Sequence, residues 1–369
     1  MAEAFKNLIN AEKVAILAAR LTGAIPGFDT DGFEAAANDG LEALELKARV
    51  GHIAAAMHPH LDPDPPTAMA QLLASMGPPL TSDKDVTGSM MDWPLLHWVQ
   101  THGVEHPEHT LPTLREMTRR FSAEFAVRPL LNHDLQGTID VLRGWLDYPD
   151  LHVRRWLSEG TRPRLPWGGN IKALQRDPTP ALPILEALYQ DPEEYVRRSV
   201  ANHLNDISKD HPDLAVDIAQ RWWNPDDKRT TKLVKHALRG LIKAGHPGAL
   251  AILGYGPPTG LELALDLDPS TVTIGSKFAI HVALTNTSDR ELAVLLDYAV
   301  HYRRKSPGLS RKVFKWTERR IAPGGTLDLT KNQTMKHVSI RRLFPGEHRV
   351  EILANGQSMA VASFELMMG

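Results

Sequence analysis

Apolar residues recur at helical spacing through the first two-thirds of this chain and at strand spacing after that. Phe5, Leu8, Ile9, Val14, Leu17 and Leu21 fall on one face of a helix predicted over 2–23, which Ile25-Pro26-Gly27 stops. Asp29 or Asp31 is placed to cap a second helix, whose inner positions are Phe33, Leu41, Leu44, Leu46, Val50 and Ile53. The segment HPHLDPDPP (58–66) reads as a loop, and helices follow over 67–76, 92–104, 109–119, 121–132 and 135–146. Strand-like alternation is missing here, so this half is expected to be all helix.

From Tyr148 a repeat is visible. Tyr148-Pro149 precedes LHVRRWLSEG, Asp191-Pro192 precedes EYVRRSVANHLNDI, and the VRR triplets start 43 residues apart, at Val153 and Val196. A weaker copy, LVKHALRGL, places Val234 38 residues after Val196. Helix pairs recurring every ~40–47 residues are the signature of HEAT-type solenoids, which stack into a slab with a concave face. At Leu253-Gly254-Tyr255-Gly256-Pro257-Pro258 the period changes to two. Alternating runs are then separated by Thr287-Ser288-Asp289, Pro323-Gly324-Gly325, Pro345-Gly346 and Asn355-Gly356, the spacing of an immunoglobulin-like sandwich of about seven strands. The chain therefore reads as mainly α, a HEAT-like α-solenoid over 1–256 followed by a C-terminal Ig-like β-sandwich over 259–369.

Charge sharpens this division. Residues 1–258 hold 27 Lys and Arg against 33 Asp and Glu, whereas 259–369 hold 15 against 11. Most of the basic excess lies in 303–349, led by Arg303, Arg304, Lys305, Arg311, Lys312, Lys315, Arg319 and Arg320, with Phe314 and Trp316 between them. Such a hairpin suits a phosphate backbone, or is simply a solvated ribbon. With a net charge of −2, nucleic-acid binding would have to come from local patches. The absence of cysteine excludes disulfides, cysteine-ligated zinc and thiol catalysis. MAEAFKNLINAEKV is an amphipathic helix with acids in it, unlike a signal peptide, and no apolar run reaches the ~20 residues that span a bilayer. The expectation is a cytoplasmic protein, with no membrane association.

The chemistry concentrates in 151–168, LHVRRWLSEGTRPRLPWG. Val153, Trp156 and Leu157 form the apolar face of a short helix, Gly160 marks its end, and Pro163 and Pro166 forbid its continuation. Arg155, Arg162 and Arg164, Glu159 and Trp167 thus crowd into a dozen residues. Glu124, in FSAEFAVRPLL on the helix predicted over 121–132, is a second candidate carboxylate. Singly these have ordinary readings: Glu124 with Arg128, and Arg155 with Glu159, are i,i+4 helix pairs, and Trp167 could be a loop anchor packed on Pro166. Together, carboxylates and an aromatic face attract a cation, arginines grip phosphates, and a carboxylate beside a sugar stabilises an oxocarbenium-like transition state. Other motifs are weak. HPEH (106–109) and HPH (58–60) lack acidic partners at ligand spacing, so no metal and no cofactor is expected; no strand precedes Gly168-Gly169; His203 and His236 read as surface or core-edge groups.

At SAEFAVRP (122–129) and SEGTRPRLPWG (158–168) the chain resembles the AlkC branch of the AlkC/AlkD-like DNA alkylation-repair glycosylases, and the VRR repeats and β-domain extend the resemblance over essentially the whole length. The resemblance implies a monofunctional DNA N-glycosylase, acting as a monomer on double-stranded DNA containing alkylated bases. It would remove cationic lesions such as 3-methyladenine, 3-methylcytosine and 1-methyladenine without flipping the base, in the bacterial cytosol or nucleoid. By the same resemblance Glu124 and Glu159 match the catalytic carboxylates and Trp167 the aromatic against the lesion's sugar. Arg155, Arg162 and Arg164 would hold the backbone, and the loops bearing Arg303, Arg304, Lys305, Arg311 and Lys312 would close on the duplex. The alternatives are a non-enzymatic HEAT/Ig scaffold and a DNA-structure binder without the chemistry.

Overall fold

The change of apolar period at 253–258 is a change of architecture. In the computed structural model, which describes residues 5–84, 90–338 and 342–368, helices run from Ala11 to Ile252 and strands from Leu261 to Met367, apart from one hairpin inside the helical part. The chain forms two compact units, Met1–His211 with Asn224–Ala237, and Pro212–Trp223 with Leu238–Gly369. Among the described residues no helix is long and apolar enough to cross a membrane.

In the first unit, Leu151–Gly160 packs against Glu194–Ile207, which packs against Lys228–Ala237. These three repeat helices bury Val153, Val196 and Val234 completely. The arginine after each of the first two valines has the same task. Arg154 Nη1 donates to the carbonyls of Tyr148 and Pro149, both at 2.8 Å, and Arg197 Nη1 donates to those of Asp191 and Pro192. Each thus ties a helix to the loop that enters it, satisfying carbonyls that the loop leaves without backbone partners.

Three expectations need correction. The helix beginning near Asp29 does not continue to Ile53: Asp29 caps Thr30–Asn38, Gly40 turns left-handed at φ 68°, and a new helix runs over Leu46–Met57. The segment 121–132 is not one helix either, because Pro129 has no N–H and would clash with the preceding turn. Residues 121–123 are irregular and 124–127 form a turn, Pro129 sits in the first turn of Arg128–His133, and Glu124 therefore lies on a turn. The half expected to be all helix also contains a hairpin, Arg164–Leu165 against Gly169–Asn170.

The second unit contains the sandwich. Five strands pair in the order Thr271–Thr273, Gln357–Met367, Gly346–Ala354, Leu292–Arg303, Leu309–Ile321, and three in the order Leu261–Asp268, Lys277–Asn286, Thr326–Thr334. All pairs are antiparallel except Thr271–Thr273 against Glu365–Met367. Phe278, Ile280, Leu296, Val300, Val350 and Phe364 belong to its buried core. Asn355 and Gly356, at φ 48° and 78°, make the two-residue turn that Asn-Gly favours between twisted strands.

Candidate active site

The helix Leu151–Gly160 begins at Asp150, whose side chain accepts from the His152 N–H, and ends at Gly160, where a β-carbon would meet Val127 Cγ1 at 2.7 Å. The chain then folds back as the Arg164–Leu165/Gly169–Asn170 hairpin. Arg128 fixes this loop. Its guanidinium donates to the carbonyls of Gly160, Arg162, Gly168 and Gly169 at 2.8–3.0 Å. The Glu124–Arg128 pair is accordingly not formed. Burial and the nearby Arg162 cation push the Arg128 pKa down to about 10, which still leaves it charged at neutral pH.

Trp167 occupies the tip of the loop with φ 64°, a backbone conformation that costs a non-glycine residue on the order of 1–2 kcal/mol. Lys47 Nζ donates to the Trp167 carbonyl and Arg128 to the next two, so the strain is held from both sides. Gly168 is required by space: a β-carbon there would lie 2.8 Å from Leu165, 3.0 Å from Phe125 and 3.1 Å from Arg128. The result is an indole that is 63% exposed, projected by the loop and not packed away as a loop anchor.

Behind the loop, Arg155 bridges both candidate glutamates. Its Nη1 donates to Glu124 Oε2 and, at 2.7 Å, to Ser122 Oγ; its Nη2 is 3.5 Å from Glu159 Oε1. Ser122 Oγ also donates to Glu124 Oε2 at 2.9 Å, and among the described residues nothing donates to Glu124 Oε1. Glu159 is more enclosed, at 5% exposure. Its Oε1 accepts from Arg162 Nη1 at 2.6 Å and its Oε2 from Ser199 Oγ at 2.6 Å. Arg162 Nε continues to Asp206 at 2.8 Å, which also pairs with Lys209.

Electrostatics follow from these contacts. Burial disfavours ionised Glu159, but Arg155 and Arg162 outweigh it and hold its pKa below the usual carboxylate value. Burial likewise disfavours the Arg155 and Arg162 cations, and the carboxylates facing them hold both guanidinium pKa values above normal. His203, expected at a surface or core edge, is fully buried. Its Nδ1 lies 3.0 Å from the Ser158 carbonyl, and burial lowers its pKa to about 4, leaving it neutral.

The structure thus brings Glu124, Glu159, Arg155, Arg162 and Trp167 into one neighbourhood. A cleft of about 350 Å³ is lined by Ser122, Glu124, Phe125, Arg155, Trp167 and Tyr195, among others. Arg155 and Arg162, expected to hold a DNA backbone, each have two carboxylate partners instead, and Arg164 pairs with Asp210 at the surface, at 2.6 and 3.0 Å. In the other unit, Arg303, Arg304 and Lys305 are exposed at the turn between Leu292–Arg303 and Leu309–Ile321. Arg311 pairs with Glu351 at 2.8 Å, and Lys312 lies 5.1 Å over the Phe314 ring. Among the described residues no three His, Cys, Asp or Glu side chains are grouped to hold a metal ion.

Ser122, Arg128, Tyr195, Ser199 and Asp206 are site residues that the motif reading missed. Tyr195 had a signal, since it precedes Val196 as His152 precedes Val153 in the repeat. Asp206 had none, lying 44 residues from its partner Arg162.

Residues 262–368 match the family described as "Uncharacterised protein YhaZ, C-terminal Ig-like domain". Uncharacterized protein YhaZ of Bacillus subtilis is 34% identical over 367 residues, which cover 98% of this chain and 99% of that one. The structure of Pseudomonas fluorescens alkylpurine DNA glycosylase AlkC, bound to DNA containing an abasic site analog, superposes with a TM-score of 0.88 at 33% identity. It covers 99% of this chain and 100% of its own.

Proposed function

Because the chain belongs to the AlkC-type family of DNA alkylation-repair glycosylases, we propose that it hydrolyses the N-glycosidic bond of alkylated bases in double-stranded DNA, acting alone and without cofactor. The observation that carries this reading is the pairing of Glu124 and Glu159 through Arg155, beside the projected Trp167. Two carboxylates and an aromatic face favour a cation and the positive charge that develops on the sugar as the bond breaks. A lesion already made cationic by alkylation leaves as a neutral base and needs no acid. 3-Methyladenine, 3-methylcytosine and 1-methyladenine are the proposed substrates, and the base is not flipped.

The two glutamates differ in what they have left to offer. Glu124 lines the cleft with Oε1 unengaged, so it is the carboxylate that faces the sugar and orients the water. Water adds to C1′, the C1′–N bond breaks with its electron pair going to the base, and the water proton passes to Glu124. Glu159, with both oxygens engaged, holds Arg155 and adds negative potential behind the site. Trp167 lies against the sugar. Arg162 acts through Glu159, while Arg164 and the hairpin bearing Arg303, Arg304, Lys305, Arg311 and Lys312 contact the duplex backbone.

The test is release of free base from methylated duplex DNA. Wild type should release 3-methyladenine and 3-methylcytosine, and Glu124→Gln should lower the single-turnover rate by about 100-fold or more with duplex affinity retained. Binding without any release would favour the DNA-structure binder; neither binding nor release would favour the scaffold.

A further inference from the structure

The VRR repeat places three side chains at one position of successive helices: Arg155, Arg198 and His236. Position 155 is answered by carboxylates, Glu124 across the cleft and Glu159 four residues on. At the equivalent of Glu159 the second repeat has Asn202, 43 residues later, which accepts at 2.9 Å from, or donates to, His236 Nε2. Arg198 therefore keeps the position of Arg155 without its counter-charges. Among the described residues its guanidinium meets no carboxylate and lies 5.7 Å over the Tyr195 ring, against whose ring Arg155 lies at 5.3 Å.

A groove of about 100 Å³ opens beside it between Glu194–Ile207 and Lys228–Ala237, with Ala201 and Leu233 at its base. Arg197, Arg198, Arg229 and Lys232 line it against a single acid, Glu194. Among the described residues, Arg197 is held by the neutral carbonyls of Asp191 and Pro192. The Lys232–Glu194 and Arg229–Asp227 pairs are exposed, where such pairs contribute little and exchange readily for another anion. A guanidinium with no carboxylate in contact, in a shallow groove where four cations face one acid and one ring away from Arg155, suits the phosphodiester oxygens of an extended chain.

We propose that Arg198, with Arg197, Arg229 and Lys232, forms a phosphate subsite that holds the duplex backbone one repeat beyond the carboxylate site, on one side of the lesion. This rests on the DNA partner of the proposed function and adds a site to it. Tyr195, touched by both arginines, gives the two sites a shared wall, so a phosphate seated at Arg198 sets the strand's register against Glu124.

The experiment measures affinity for lesion-containing duplexes in which single phosphates, one at a time, are replaced by neutral methylphosphonates. Wild type should lose about tenfold at one phosphate to one side of the lesion. Arg198→Gln should bind the unmodified duplex about tenfold more weakly, show no further loss at that phosphate, and lower the salt slope by about one. Arg198→Lys should restore most of the affinity, which a folding defect would not allow. A methylphosphonate profile unchanged in Arg198→Gln overturns the subsite. Base release by wild type, scored in the same samples, reports separately on the glycosylase reading.

Discussion

Glu124 and Glu159 are the same side chain in two surroundings, and the difference sets what each substitution should do. Glu159→Gln replaces a carboxylate that takes three cationic or hydroxyl donors with an amide whose NH₂ faces one of them, leaving Arg155 or Arg162 under-compensated in a buried place. It should lower thermal stability as well as base release. Glu124→Gln also loosens Arg155 but leaves Arg162 paired, so it should cost less stability than Glu159→Gln while striking the rate, and a calorimetric scan of both variants separates these outcomes. Trp167 presents its ring while its backbone is strained. Trp167→Ala keeps the strain and deletes the ring, so base release should fall at least about tenfold with an unchanged melting temperature.

At the scale of elements, the loop 160–170 is held by one residue from another segment. Arg128→Met would leave four carbonyls without their donor; at roughly 1 kcal/mol or more each, partly recovered by water, this should lower stability by about 2–4 kcal/mol. Hydrogen exchange should rise over 160–170 and not in the Lys228–Ala237 helix. The contact between the first and second repeat helices carries a pH dependence of its own. His203 has a folded pKa of about 4 against 6.5 when free, so between those values the unfolded chain binds a proton that the folded chain refuses. Stability therefore falls as pH drops from 6.5 towards 4, by about 2 kcal/mol between pH 7 and 5. Glu159 acts in a lower window: its depressed pKa stabilises the fold above the ordinary carboxylate value, and that contribution is lost as pH falls through it. Urea midpoints at pH 7 and 5 should converge in His203→Gln.

For the whole molecule, net charge of −2 means that affinity for DNA must come from local sites, and it should fall steeply with salt. Reversing Arg303, Arg304 and Lys305 to Glu should weaken duplex binding and flatten its salt dependence. Unchanged binding at low salt would remove the hairpin from the interface. A 2-aminopurine next to the lesion should stay quenched on binding if the base remains stacked.

The apolar periods determined the two architectures, because a helix face and a sheet face demand different spacings whatever else surrounds them. The VRR repeat, the proline-punctuated loop and the Asn355-Gly356 turn were legible for the same reason: their cause lies within a few residues. Pro129 breaks the helix that the apolar spacing suggests over 121–132, and Gly40 breaks the one that it suggests from Asp29, because a missing N–H and a left-handed turn act locally whatever the apolar pattern. Only the tertiary structure decided the partnerships. That Arg128 serves carbonyls 32–41 residues away, that Asp206 backs Arg162, and that Glu159 is enclosed while Glu124 faces a cleft are matters of which surfaces meet when helices pack. A charge along the chain states what a residue can bind; burial and the neighbour it meets decide what remains free to act.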